Sequence, residues 1–505
     1  MSELYSLSGL ELSNLISKGE IKAKELAQSY IKRIEKFDKD VKAWAFFDPN
    51  FILKKAEECD DFKNIGRPTG PLHGLPIAIK DIFGTDEMTT ECGTVLRKKK
   101  YTKGDSTVVS LLKSSGAYVM GKTVTTEFAY FDAGKTTNPH DYTRTPGGSS
   151  SGSAASVASF MTPIAIGSQT NGSIIRPASY CGVLGYKPSY GLISRNGVLK
   201  QSFLLDHVGV FARSVEDLAF ISQEIIKRDV EDKSTIPFAS GDFLKIAQED
   251  PPFDPRFIFF KTDMWKNLDK ETTKVFEKFI KGLGSNVEIH DTPSYFKDIM
   301  RYHKIIHETD MAYSFSDYYK NSKNKLGKEL VKAIERGFKY KSKDYVEAVE
   351  NRDYFYKLFS EVFNDYHGIL SPSSTGVAPK GLNSTGSPEF STYWTFLGMP
   401  SISLPLLTGS NNLPLGIQLI GEKFDDARLM RTANWLMKKK KKMHKLLNKI
   451  TGLLALVLVI SFLLGITVTL DKSRYISFLD VLPVWIIMVA VILMICLDFY
   501  NSTKK

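Results

Sequence analysis

The sequence predicts an α/β body followed by a C-terminal hairpin of two transmembrane helices. Three observations carry that reading. Short apolar runs alternate with stretches of helical periodicity through the first 437 residues. Apolar residues make up 43% of the chain, enough for a substantial core. The last 68 residues change character, with lysines at their start and two long uncharged runs after them.

The body opens with a helix. Ser8 and Glu11 have capping-box spacing, Leu10, Leu12, Leu15 and Ile16 supply the apolar positions, and Gly19 is the stop. A second amphipathic helix is expected over 23–37 through Leu26, Tyr30, Ile31 and Ile34. LPIAIKDIF then reads as a strand, VVSLLKSSG as a helix and AYVMGKT as a strand. The stretch 263–361 is rich in Lys, Glu and Tyr and reads as mostly helical. MPSISLPLL, GIQLIG and DDARLMRTANWL read as strand, strand and helix. No Pro/Ser-rich linker and no internal repeat divides 1–437, which is read as one domain.

In the tail, 438–449 is a basic juxtamembrane linker. The run 450–470, ITGLLALVLVISFLLGITVTL, holds no charge and at about 1.5 Å per residue extends roughly 30 Å. VLPVWIIMVAVILMICL, with the residues before it, makes a second span of about 477–497, so that 450–499 forms the hairpin. The lysines preceding the first span place the body on the cytoplasmic side of a membrane. A neighbouring reading frame joined by read-through would give the same pattern, since Met443 follows the lysine run.

The net charge of +11 is unevenly placed. The tail holds eleven Lys and Arg against Asp471, Asp480 and Asp498, which leaves the body at +3 and argues against a nucleic-acid partner. Cys59, Cys92, Cys181 and Cys496 form no CxxC pair, which argues against a disulfide scaffold or zinc knuckle. The N-terminus lacks the basic and apolar regions of a signal peptide.

Four motifs tempt and are set aside. GAYVMGKT fits the phosphate-loop pattern, but its inter-glycine residues read as a strand and Gly116 as the end of the preceding helix. Gly148-Ser149-Ser150-Ser151-Gly152 fits GxSxG, but a polar loop rather than a buried strand precedes it. His303 and His307 share a helical face, yet no third metal ligand is evident, so they read as surface or packing residues. Asp206-His207 reads as structural.

Three islands remain. Lys80 follows an apolar run in GLPIAIKDIF; it is either a desolvated base or an ordinary strand-end lysine. TPGGSSSGSAASVASF holds several hydroxyls at the start of a helix. GSQTNGSIIRPASYCGVLGYKPSYG contains a Thr170-Asn171-Gly172-Ser173 turn that is either an oxyanion hole or a tight loop.

Together with GKTVTTEFAYFDAG, NPHDYTRTPGGSSSGSAASVAS, SVEDLA, LGMPSISLPLL and LPLGIQLIG, these stretches resemble the amidase signature family over roughly 4–436. The resemblance implies a large mixed β-sheet covered by helices on both sides. It implies Lys80 as the catalytic lysine, Ser149 as the relay serine after a cis peptide bond, and Ser173 as the nucleophile. The amides of Thr170, Asn171, Gly172 and Ser173 would form the oxyanion hole. Ser150, Ser151 and Ser153 would cap a helix starting near Ala154 or line the loop. No metal or cofactor is implied.

This chain departs from many members at Gln169 and Asn171, where an acidic residue and a glycine are usual. Gln169 keeps hydrogen-bonding capacity, and Asn171 tolerates a left-handed backbone. The expected reaction is hydrolysis of a small-molecule carboxylic acid amide, with 263–361 and 371–390 shaping the pocket. One alternative is a glutamine-hydrolysing subunit that feeds ammonia to a partner acting on misacylated tRNA. Another is a catalytically idle membrane scaffold.

Overall fold

The structure is a computed structural model that describes residues 3–239, 241–471 and 477–504, with side chains except at 441–450, 467, 470–471, 478, 481 and 496–504. The described chain forms two compact units, Met1–Trp435 and Leu436–Lys505.

The first unit is built on one sheet. Its strands in chain order are β1 (Trp44–Phe46), β2 (Pro76–Lys80), β3 (Tyr118–Thr123), β4 (Ile164–Gln169), β5 (Leu184–Lys187), β6 (His207–Ala212), β7 (Phe257–Lys261), β8 (Val287–Asp291), β9 (Gly368–Pro372), β10 (Ser401–Thr408) and β11 (Pro414–Ile420). Their spatial order is β1-β3-β2-β4-β6-β5-β10-β11-β9-β7-β8. The sheet is mixed: β2 pairs in parallel with β3 and β4, whereas β6 pairs antiparallel with β4 and β5. Every residue of β2, β3, β4, β5 and β6 is buried, which requires cover on both faces.

Local rules set several helices. Gly9–Lys18 opens on the Ser8/Glu11 capping box and ends at Gly19 with φ 76°. The second helix runs Ala23–Val41, longer than expected, and LLKS belongs to the helix Thr107–Ser114, followed by Ser115 and left-handed Gly116. The segment expected to be mostly helical also contains β8. That strand escapes a hydropathy reading because it is an edge strand, exposed at four of its five residues.

The transmembrane hairpin is corrected, and with it the membrane placement of the body. Among the described residues no helix is long and apolar enough to cross a membrane. The run 450–470 is not a separate element. It is the later part of one helix, Asp426–Asp471, whose sequence also carries the lysines of 438–449, so the expected linker is itself helical. The second run lies in Phe478–Lys504, whose sequence includes Asp480, Asp498 and an internal Pro483. The expected connection at 472–476 lies outside the described residues.

Candidate active site

The parallel pairing of β2 with β4 brings their C-terminal ends to one end of the sheet, with Ile79 opposite Ile166. Lys80 closes β2 and is fully buried. Its Nζ stands 2.7 Å from Ser149 Oγ and 2.8 Å from Ser168 Oγ. Burial pulls the amine down to about 7, against the opposing pull of the Asp206 carboxylate and the Cys92 thiol. Ser168, which the sequence reading passed over, is thus the second hydroxyl on the lysine. The signal for it was the strand pairing, which sets the end of β4 beside the end of β2.

Ser149 follows a cis peptide bond from Gly148 and is buried. The next helix, Ser151–Ala158, begins earlier than expected, and the serines at its start do not cap it through their side chains. They tie it to its surroundings instead. Ser150 Oγ donates to the Ser168 carbonyl at 3.1 Å and accepts the Ser168 N–H at 3.3 Å. Ser153 Oγ donates to the Ile166 carbonyl, and Ser151 Oγ to the Gly147 carbonyl. A Cβ on Gly152 would stand 2.2 Å from the Ala43 carbonyl oxygen, so only glycine allows this approach.

Ser173 sits in the turn between β4 and the helix Ile175–Cys181 and is half-buried. Gln169 builds that turn. Its Oε1 accepts the N–H groups of Ile174 at 2.8 Å and Ile175 at 3.0 Å, and its Nε2 donates to Thr395 Oγ1 at 2.9 Å. A neutral amide therefore receives the helix N–H groups and also supplies a donor. Asn171 is not among the residues with positive φ, so its left-handed tolerance is unused. Its Oδ1 accepts from Thr392 Oγ1 instead. Among the described residues, no backbone or side-chain acceptor takes the N–H groups of Asn171, Gly172 or Ser173.

Thr170, Asn171, Gly172 and Ser173 line a narrow cavity of about 10 Å³ with Arg176, His307 and Pro388. A wider opening of about 620 Å³ shares Phe131 and Pro388 with it and adds Asp132, Glu329 and Leu382. The helical segment and the late loop thus both reach the site, as expected.

Four further residues at the site were not assigned from sequence. Arg176 is 2% exposed. Its Nη2 donates to the Gly148 carbonyl at 2.6 Å and to Thr385 Oγ1, while its Nε and Nη1 have no hydrogen-bond partner among the described residues. Asp206 accepts from Thr170 Oγ1 at 2.6 Å and from the N–H groups of Gln201 and Ser202. His303 and His307, read as surface or packing residues, are buried against the site. His303 Nε2 donates to the Thr170 carbonyl at 3.0 Å, and His307 Nε2 lies 2.8 Å from Gln201 Oε1. Burial pulls the His303 ring down to about 4 and His307 well below its ordinary value.

The phosphate-loop look-alike is structural. Its Lys122 is buried, donates to the Phe83 carbonyl and Thr90 Oγ1, and pairs with Asp81 at 3.3 Å.

The amidase family model matches residues 25–430. The glutamyl-tRNA(Gln) amidotransferase A subunit of Caldanaerobacter subterraneus subsp. tengcongensis is 32% identical over 470 residues, 85% of this chain and 96% of the relative. The solved structure of the corresponding Thermotoga maritima protein superposes with a TM-score of 0.72 at 29% identity, covering 86% of this chain and 94% of that one. A peptide amidase solved with the competitive inhibitor chymostatin gives a TM-score of 0.75 at 26% identity, over 86% and 97% of the two chains. The motifs, the mixed sheet and the family match agree: this chain belongs to the amidase signature family.

Proposed function

We propose that this protein cleaves the C–N bond of a carboxamide through an acyl-enzyme on Ser173. The observation that carries the reading is a buried amine, pulled down to about 7 by burial, held 2.7 Å from the Ser149 hydroxyl. Lys80 takes a proton from Ser149, and Ser149 takes one from Ser173. Ser173 Oγ bonds to the amide carbon, and the carbonyl electrons move onto its oxygen, facing the N–H groups of Thr170 to Ser173. The oxyanion collapses, the C–N bond breaks, and the proton returns through Ser149 to the leaving nitrogen. Water then adds to the ester and releases the acid and Ser173.

For the substrate, the likeness to glutamyl-tRNA(Gln) amidotransferase A subunits favours glutamine, with the released ammonia passed to a partner acting on misacylated tRNA. Arg176 supports this over a neutral amide. A buried guanidinium is costly unless it meets an anion; Arg176 lines the pocket, and its buried Nε and Nη1 have no hydrogen-bond partner among the described residues. The carboxylate of a glutamine-like substrate would meet them. Likeness to a peptide amidase keeps a stand-alone amide hydrolase as the second reading.

Ammonia release from glutamine, set against its carboxyl methyl ester, tests the substrate class. Glutamine should be favoured by about 30-fold or more in kcat/KM, the loss for a desolvated charge pair. Arg176→Gln should bring the ratio close to one. Equal rates on both compounds in the wild type would contradict the carboxylate.

A further inference from the structure

We propose that His303 and Thr395 are positioning residues that aim the oxyanion-binding amides by holding the carbonyl end of each peptide unit. The inference rests on the reading of Ser173 as nucleophile given above.

A trans peptide unit points its C=O and its N–H in opposite directions. The carbonyl of Thr170 shares a unit with the N–H of Asn171, and the carbonyl of Asn171 shares one with the N–H of Gly172. Each of these carbonyls meets one side-chain donor. His303 Nε2, on the helix Asp298–Ser314, donates to the Thr170 carbonyl at 3.0 Å. Thr395 Oγ1, on the helix Glu389–Phe396, donates to the Asn171 carbonyl at 2.5 Å. The carbonyls are drawn away from the pocket, and the two N–H groups, which no protein acceptor among the described residues takes, are turned the opposite way. A donor on the carbonyl also polarises the unit and strengthens its N–H.

The donors are fixed in their roles. His303 is 3% exposed and Thr395 fully buried, so water competes little for either carbonyl. The carbonyl oxygen only accepts, so the imidazole carries a proton on Nε2, and burial keeps the ring neutral. Gln169 Nε2 donates to Thr395 Oγ1, which leaves the hydroxyl's own proton for Asn171. Neither donor lies in the serine- and glycine-rich stretches that carry Ser149 and Ser173. A Cβ on Gly172 would stand 2.9 Å from Pro388 Cβ, which restricts the loop from its other side.

Inactivation by a neutral alkyl fluorophosphonate tests the pair without a known substrate. Ser173 Oγ would bond to phosphorus as its proton passes to Ser149, charge would build on the phosphoryl oxygen facing the same amides, and the P–F bond would break to release fluoride. The rate constant kinact and the binding constant KI are compared for wild type, His303→Ala, His303→Gln, Thr395→Val and Thr395→Ser, with melting temperatures recorded. His303→Ala and Thr395→Val should each slow kinact by about 10- to 100-fold, below or at the loss for a whole oxyanion donor. KI should stay close to wild type, and His303→Gln and Thr395→Ser should recover most of the rate. Thr395→Val keeps the side-chain size, so the test stands even where His303→Ala fails to fold. Wild-type kinact in His303→Ala and Thr395→Val, with a Ser173 adduct present, overturns the positioning role alone. Losses that follow melting temperature without recovery by the donor-bearing variants overturn it as well. A wild type that forms no Ser173 adduct overturns both this role and the nucleophile.

Discussion

At the residue scale, Lys80 is one of three fully buried lysines among the described residues, with Lys122 and Lys187. Burial also pulls Lys187 down to about 7, so a lowered pKa does not single out the base. Partners do. Lys122 is spent on carbonyls, two threonine hydroxyls and Asp81, and Lys187 on the carbonyls of Pro188 and Met399. Lys80 alone of the three holds two serine hydroxyls. Because the amine must be neutral to accept a proton, labelling of Ser173 should rise with pH through about 7 and level off above it. Lys80→Ala should label about 100-fold or more slowly, with that limb gone. A wild-type profile flat from pH 5 to 9 would remove Lys80 as the base. Lys80, Ser149 and Ser173 could be proposed from sequence because their motifs are local. The contacts of Ser168, Arg176 and His303 could not be read there, since they come from strand pairing and from segments far apart in sequence.

At the scale of elements, capping and periodicity found the first helices, and short apolar runs found β2, β3, β10 and β11. The reading failed where packing overrides local pattern. The serines before Ala154 look like caps, but the helix already runs from Ser151 and spends the hydroxyls on β4. β8 has little apolar pattern because it pairs on one side only. The strand β3, which mimics a phosphate loop, carries a buried ion pair, and this has a measurable consequence. Lys122→Met leaves Asp81 buried without its cation and should cost about 3–5 kcal/mol in urea unfolding. Adding Asp81→Asn should recover part of that loss. An unchanged unfolding midpoint in Lys122→Met would mean that the pair holds nothing together.

At the scale of the whole molecule, a mixed sheet places a buried amine, the Ser149 hydroxyl it holds and a turn whose N–H groups no acceptor takes among the described residues at one end of its parallel strands. The α/β class was legible from alternation along the chain, whereas the eleven-strand order was not, because non-local pairing leaves no periodic trace. The tail misled for a related reason. Its apolar runs resemble spans when read in isolation, but helix boundaries are set by the whole segment, including its lysines. The central claim is that Ser173 is an activated nucleophile. Mass spectrometry of the intact protein after a fluorophosphonate, beside Ser173→Ala and a labelled control amidase, tests it most directly. One covalent adduct is expected, mapped to Ser173 and absent from the variant. A folded wild-type protein left unlabelled while the control reacts, or an adduct that persists in Ser173→Ala, would contradict it.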